Sequence, residues 1–263
     1  MIKQLLTHLK YSNIKNMSYD NPEIMPLMHY NVKNHGFVRR VYEDFYKVFM
    51  NAATSAPDGK MVELGTGYGF LKEFSRMDLI CSDINTNFNI DLRFSAEHLP
   101  LKDNTVSVFF MTGVLHHIKN VDLFFKDVQK ALVPGGKVVM IEPFNSPFAR
   151  VMYRISHHEP FDPESGWKIS GEKHLADANI ALPWIIFMRD RKVFESKYPN
   201  LRIKKIETHN PITFQLSGAG AFNTFLPGFA YPFFKTFELL LRPLYHYLAM
   251  WMTIELENVE ATI

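Results

Sequence analysis

The stretch Val62-Glu63-Leu64-Gly65-Thr66-Gly67-Tyr68-Gly69-Phe70 decides the reading of this chain. The apolar run 61–64 reads as a strand, and the residues beyond Gly69 as the start of a helix. Glycines at alternate positions let the backbone turn tightly and touch a ligand, because no Cβ intervenes. The helix start beyond them offers free N–H groups to a carboxylate or phosphate. The spacing is G-x-G-x-G. Phe70 stands where a dinucleotide loop would place its third glycine, which counts against a pyrophosphate cofactor. Glu63, at the strand tip, would repel a phosphate and hold an ammonium group.

Twenty residues on, Asp83 closes a second apolar run, 79–82. An acid there in a doubly wound fold takes the two ribose hydroxyls of an adenosine. Glu63 for a cation, glycines for close approach and Asp83 for ribose describe S-adenosylmethionine better than NAD. Two more runs, 106–111 and 138–141, flank a helix pattern at 121–133 that Pro134-Gly135-Gly136 ends. Strands without polar alternation, separated by helices, are what a parallel sheet covered on both faces requires. The predicted fold is α/β, with a doubly wound, Rossmann-like core over 60–143.

The rest of the chain is arranged around that core. Residues 1–59 read as a helical segment, with Asn34 as N-cap of a helix carrying Val38, Val41, Phe45, Val48 and Phe49. Its first ten residues, MIKQLLTHLK, form an amphipathic helix pattern with no apolar core of a secretory signal. Residues 144–200 read as an insert capping the acceptor side, with a helix at 189–198. Residues 201–217 are expected to close the sheet with two strands, 201–207 and 212–216, joined at Asn210-Pro211. Residues 218–263 form an aromatic-rich lid or interface.

Five blocks in order resemble the class I S-adenosylmethionine-dependent methyltransferases, in particular the small-molecule subgroup called type 11. They are VELGTGYGF at 62–70, SDI at 82–84, SAEHLPLKDNTV at 95–106, FFMTGVLHHI at 109–118 and LVPGGKVVMIEP at 132–143. The resemblance spans about 60–143. It implies a mostly parallel seven-stranded sheet with N-terminal helices and a mainly helical cap, an S-adenosylmethionine cofactor, and methyl transfer to a small molecule. Glu63, Gly65, Thr66, Gly67 and Gly69 would line the methionine end, and Asp83 would hold the ribose. Ile84 would lie beside the adenine, Ala96 and Glu97 would flank it, and Thr112 and Gly113 would pass beneath the sulfonium. The family's acid for the adenine amino group is replaced by Ser95, which leaves Glu97 as the nearest carboxylate. His117 takes the place of a histidine that braces the loop, so His116 is the one expected to face the ligand.

Methyl transfer from a sulfonium is an in-line displacement whose acceleration comes largely from holding donor and acceptor in line. A general base is needed only if the acceptor loses a proton near the transition state. The candidates are His116, Glu142 and His157, with His158 and Glu159 beside the last. No metal is expected, because adjacent histidines such as His157 and His158 rarely point at one ion. The lone Cys81 reads as a small core residue of a strand and excludes a disulfide framework or multi-cysteine metal site.

Composition bounds the remaining choices. The chain has 263 residues, 47% hydrophobic and 21% charged, which suits one domain with a large insertion and excludes disorder. A net charge of +2 gives no argument for nucleic acid as the main partner. The single cysteine fits a cytoplasmic location. Segment 222–251 holds ten aromatic residues and three charges, Lys235, Glu238 and Arg242, with prolines at 227, 232 and 243. Those breaks exclude a membrane span. The segment then serves as a hydrophobic lid over the cleft, a homodimer interface, a peripheral membrane contact, or a packed terminal helix. The first three imply a hydrophobic acceptor, lipid-like or aromatic. The competing class is a non-catalytic subunit that binds S-adenosylmethionine; intact Glu63, Gly65, Gly67 and Asp83 favour the enzyme.

Overall fold

The computed structural model describes residues 10–15, 17, 21, 23–85, 89–157, 159–171 and 177–259; of the helix pattern at 1–10 only Lys10 falls among them. Two helices, α1 (Ile24–Asn34) and α2 (Gly36–Ala53), precede the sheet. The strands are β1 (Lys60–Leu64), β2 (Leu79–Asp83), β3 (Leu92–Arg93), β4 (Val106–Thr112), β5 (Leu132–Pro143), β6 (Leu201–His209) and β7 (Trp251–Asn258). They form one seven-stranded sheet in the order β3-β2-β1-β4-β5-β7-β6. The first five are mutually parallel, and β7 runs antiparallel to both β5 and β6. This is the mostly parallel, doubly wound sheet expected from the sequence.

Why both faces are covered is visible residue by residue. On α2 the apolar positions Val38, Val41, Tyr42, Phe45, Tyr46 and Phe49 recur at three- and four-residue spacing and are all buried. They pack with Phe110, Val139 and Ile141 on one face of the sheet. On the opposite face Phe124, Phe125 and Val128 of α4 (Val121–Ala131) meet Val62, Phe109, Met111 and Met140. A short α3 (Leu71–Ser75) follows the glycine loop, and α5 (Pro147–Ser156) follows β5, its Ser146 Oγ accepting from the Ala149 amide as N-cap. The chain then passes through α6 (Arg191–Lys197) to β6.

Three local expectations change, and one short strand has no counterpart among them. Asn34 does not cap α2: it ends α1, its side-chain amide donates to the Tyr30 carbonyl, and His35 occupies the cap without a side-chain bond. The helix pattern at 121–133 stops at Ala131, and β5 already starts at Leu132, so Pro134-Gly135-Gly136 lies in the irregularity of β5 between the paired residues Leu132 and Lys137. The edge strand β3 is two residues long, too short for any periodicity to reveal. Residues 212–216 are not a strand; Thr213–Ser217 is a helix, α7. The cause is long-range: Glu238 Oε2 accepts from the Ile212 and Thr213 amides and the Thr213 hydroxyl, at 2.8–3.0 Å, and so satisfies the free donors of that helix start.

The last strand is β7, inside the segment read as an aromatic tail, so the sheet is not complete until residue 258. Between α7 and β7 lie α8 (Tyr231–Leu240) and α9 (Tyr245–Leu248). Among the described residues no helix is long and apolar enough to cross a membrane.

Candidate functional site

The parallel strands β1, β2 and β4 end along one edge of the sheet, and a cavity of about 700 Å³ opens there, the crevice where open α/β sheets bind ligands. Register sets the site: Glu63 of β1 lies beside Cys81 of β2 and Phe110 of β4. Glu63 is buried, accepting from the Thr66 hydroxyl at 3.1 Å and the Cys81 thiol at 3.6 Å. Burial pushes its carboxyl up to about 7, helped by the nearby charge of Asp83 and opposed by those two donors. The Cys81 thiol, also buried, is pushed up to about 12 by burial and by Glu63, so it is an inert core group.

The loop after β1 is built for backbone contact. Gly65 and Gly67 both have left-handed φ, +65° and +52°. A Cβ on Gly65 would strike Val114 at 2.5 Å, whereas one on Gly67 would meet, among the described residues, only the Gly65 carbonyl at 3.8 Å. The Gly67 amide donates to Asp83 Oδ2 at 2.9 Å, and the Asn85 amide to Oδ1 at 2.8 Å. From α2, the Tyr46 hydroxyl accepts from the Phe70 amide at 2.9 Å and so pins the far end of the loop.

Ile84, Ala96, Glu97, Thr112 and Gly113 all line the same cavity as Glu63, Gly65, Thr66, Gly67, Gly69 and Asp83. Thr112 has a buried hydroxyl with no hydrogen-bond partner among the described residues. Glu97 has one oxygen engaged, since Oε1 accepts from the Asn120 amide at 2.5 Å. Bare backbone at Gly67, an acid at the tip of β2 and an unsatisfied hydroxyl on β4 fit S-adenosylmethionine.

Residues 62–140 match a family described as a methyltransferase domain. The chain carries a class I S-adenosylmethionine-dependent methyltransferase domain. No curated protein matches it in sequence. Among solved structures it is similar to a Haloferax volcanii chain in complex with the Trm112 methyltransferase activator: 12% identity, TM-score 0.52, covering 93% of this chain and 98% of that one. It is also similar to the [4+2]-cyclase SpnF, at 12% identity and TM-score 0.51 over 90% of this chain and 93% of that one. At such identity the likeness speaks for the fold alone.

On the acceptor side of the methyltransferase cavity the candidate bases separate. His116 and His117 sit on a 3-10 turn, Leu115–His117, directly after β4. Glu142 is wholly buried and does not line the cavity: Oε1 accepts from the Val114 and Leu115 amides at 2.8 and 2.7 Å, and Oε2 meets His116 Nδ1 at 2.8 Å. That corrects its place among the candidate bases, because its oxygens are committed to holding the turn. His116 does line the cavity, with Nε2 3.3 Å from Glu159 Oε2. Burial alone would lower its imidazole, but Glu142 and Glu159 on either side push it up to about 10, so near neutral pH it is a cation and not a ready base. His157 stands at the cavity with Nδ1 3.8 Å from Glu159 Oε2; His158 lies outside the described residues.

Glu159, a lesser candidate from sequence, is the group these histidines share. Burial would raise its carboxyl, but His116 at 3.3 Å and the charges of His116, His117 and His157 carry it well below the usual carboxylate range. Of the other wall residues, Tyr46 carried no recognisable signal in the sequence, whereas Tyr153 and Trp251 belong to the insert and the aromatic segment expected beside the cleft. Tyr153 donates its hydroxyl to the Met250 carbonyl. Trp251 reaches the crevice because antiparallel β7 starts where β5 ends, pairing with Pro143. Only the strand pairing brings its ring to 3.7 Å from where a Cβ on Gly113 would stand.

The expected cover over the cleft is corrected in part. Phe214, Leu216, Phe222 and Trp251 do line the cavity, but most rings of 222–251 do not. Phe225, Phe229 and Phe233 are 88%, 83% and 71% exposed.

Proposed function

We propose that this methyltransferase acts on a small, largely apolar acceptor bound beside the glycine loop. The observation that carries the reading is the make-up of a cavity that holds both ends. One end is the loop from Glu63 to Gly69 with Asp83; the other is walled by Met28, Tyr153, Phe214, Leu216, Phe222 and Trp251, with His116, His117 and Glu159 as its polar corner. A mainly apolar pocket with a few convergent polar groups suits a small molecule oriented by one functional group.

Glu63, Thr66, Gly67, Asp83 and Thr112 would hold S-adenosylmethionine, which supplies a methyl group on a sulfonium. Asp83 would accept from the ribose hydroxyls and Glu63 would face the ammonium. The apolar wall excludes water and fixes the acceptor, so the chain's contribution to rate is chiefly alignment. Glu159 and the histidines around it would orient the acceptor's polar end. The test is a panel of hydrophobic phenols, isoprenoids and fatty acids with radiolabelled methyl donor, read by product mass. Transfer only to polar amines or to macromolecules sinks the reading.

A second proposal concerns where the enzyme meets such acceptors. Phe225, Phe229, Phe233, Phe237, Leu240 and Leu244 are exposed along α8 and its flanks. The one acid of 222–250, Glu238, is buried, while Arg242 is exposed and Arg39 and Arg40 stand exposed on α2, which packs against 228–230. An apolar stripe flanked by arginines suits an anionic membrane surface, Arg40 directly and Arg39 and Arg242 once they leave their pairings with Glu43 and Glu207. Co-sedimentation with phosphatidylglycerol vesicles, lost in the double variant Phe229→Ser and Phe233→Ser, is expected. A concentration-dependent dimer without vesicle binding would instead assign the stripe to a second copy.

A further inference from the structure

We propose that His116, His117 and Glu159 form a binding site for one divalent transition-metal ion on the acceptor side of the cavity. No metal was expected from the sequence, where the neighbouring pair His157 and His158 drew the question. The fold instead brings Nε2 of both members of another adjacent pair, on the turn after β4, within 3.6 Å of a carboxylate from 42 residues further along the chain.

The spacing is the first argument. One donor atom from each of the three residues lies within 4.8 Å of the others. His116 Nε2 is 3.3 Å from Glu159 Oε2, and His117 Nε2 is 3.6 Å from Oε1. A direct charge-assisted bond from imidazole to carboxylate would close to roughly 2.7–2.9 Å. A tetrahedral ion with bonds of about 2.0–2.1 Å keeps its ligand atoms about 3.3 Å apart, and each histidine–carboxylate separation, though to a different Glu159 oxygen, is close to that length.

The second argument is the support behind the ligands. An ion would displace the Nε2 proton of His116 and take that nitrogen, while Nδ1 meets Glu142 Oε2 at 2.8 Å. Glu142 is in turn fixed by two backbone amides. A metal-binding histidine commonly leans its other nitrogen on a carboxylate in this way, which sets ring orientation and tautomer. Here the leaning carboxylate is fully buried and does not line the cavity.

The third argument is access. All three residues line the cavity, so an ion there would keep open positions toward the acceptor space, as catalytic rather than structural sites do. Two imidazoles and one carboxylate favour zinc, iron, cobalt or nickel over magnesium or calcium, which prefer all-oxygen shells. The proposal is independent of which acceptor the enzyme methylates. A proton shared between His116 and Glu159 is the competing occupant of the same space.

Titrating chelator-treated full-length protein with zinc and, separately, with cobalt separates the two. We expect one zinc per chain by calorimetry at micromolar affinity or tighter, and visible ligand-field bands from cobalt without thiolate charge transfer. Glu159→Gln and His117→Asn should each weaken zinc binding at least tenfold, while S-adenosylhomocysteine binding and circular dichroism report that the variants are folded. No saturable zinc binding to wild type, unchanged zinc affinity in both folded variants, or a thiolate band pointing to Cys81 would each overturn the site. Should one variant misfold, the other variant and the wild-type cobalt spectrum still decide.

Discussion

The Gly67 amide donates to Asp83 Oδ2 across 2.9 Å, tying the loop after β1 to the tip of β2. The loop that would lie against a ligand and the acid that would hold its ribose are thus set against each other by the protein itself. A ligand reaching Asp83 meets a carboxylate already oriented by two backbone amides, which lowers the ordering it must impose.

Asp83→Ala removes that acid and leaves the Gly67 and Asn85 amides without this acceptor. We expect S-adenosylhomocysteine affinity to fall by about 1.5–3 kcal/mol, the scale for hydrogen bonds to a charged group. Calorimetry on the folded variant reads it; an unchanged affinity removes Asp83 from the site.

Gly67 separates strain from obstruction. Alanine and valine both incur the strain of a left-handed φ, roughly 1–2 kcal/mol of stability. Among the described residues no atom lies closer than 3.8 Å to the new Cβ, so the extra methyls of valine would meet chiefly the ligand. Gly67→Val should therefore lose much more cofactor affinity than Gly67→Ala, with similar melting temperatures. Equal affinities would place the ligand elsewhere.

Glu63 sits near its midpoint at pH 7 because burial disfavours its charge. A ligand ammonium needs the carboxylate, so binding must displace the proton at lower pH. Affinity for S-adenosylhomocysteine should rise from pH 6 to pH 8, approaching a tenfold change per unit below pH 7. Glu63→Gln should bind more weakly and with a flatter profile; a wild-type profile already flat over this range contradicts the role.

His209 predicts acid sensitivity away from the site. Burial pushes its imidazole down to about 4, and it is held neutral between Asn210 Oδ1 and the Thr253 hydroxyl. Below the unfolded value of about 6.5 the unfolded chain takes up a proton that the folded chain refuses, so stability falls with pH between about 6.5 and 4. From pH 7 to pH 5 this costs about 2 kcal/mol. Urea denaturation should show that loss in wild type and not in His209→Gln.

Strand β7 separates two ideas about the C-terminal segment. Ending the chain at residue 249 removes the strand hydrogen-bonded between β5 and β6. That variant should be insoluble or unfolded by circular dichroism. Phe229→Ser with Phe233→Ser, at two exposed positions, should melt within a few degrees of wild type. A soluble, folded truncation would contradict the place of β7 in the sheet.

The core and the cofactor end were legible in the sequence because their signals are local. A glycine turn, an acid at the end of an apolar run, and strands without polar alternation each arise within a few residues, through sterics and burial that need no distant partner. Elsewhere the outcome rested on contacts made across the chain. Residues 212–216 alternate like a strand, yet Glu238 caps them into α7. Trp251-Met-Thr-Ile-Glu-Leu-Glu-Asn258 was hidden at the end of an aromatic run, yet the gap between β5 and β6 makes it the strand that completes the sheet. Glu142 reads as a strand-tip base, and the amides of Val114 and Leu115 consume it. The polar corner of the cavity joins His116 and His117 on one turn to Glu159 in the insert, and no spacing rule connects them. Local periodicity determined which segments become helix and strand around the glycine loop; satisfying buried donors and acceptors across the fold decided which side chains were left to face a ligand.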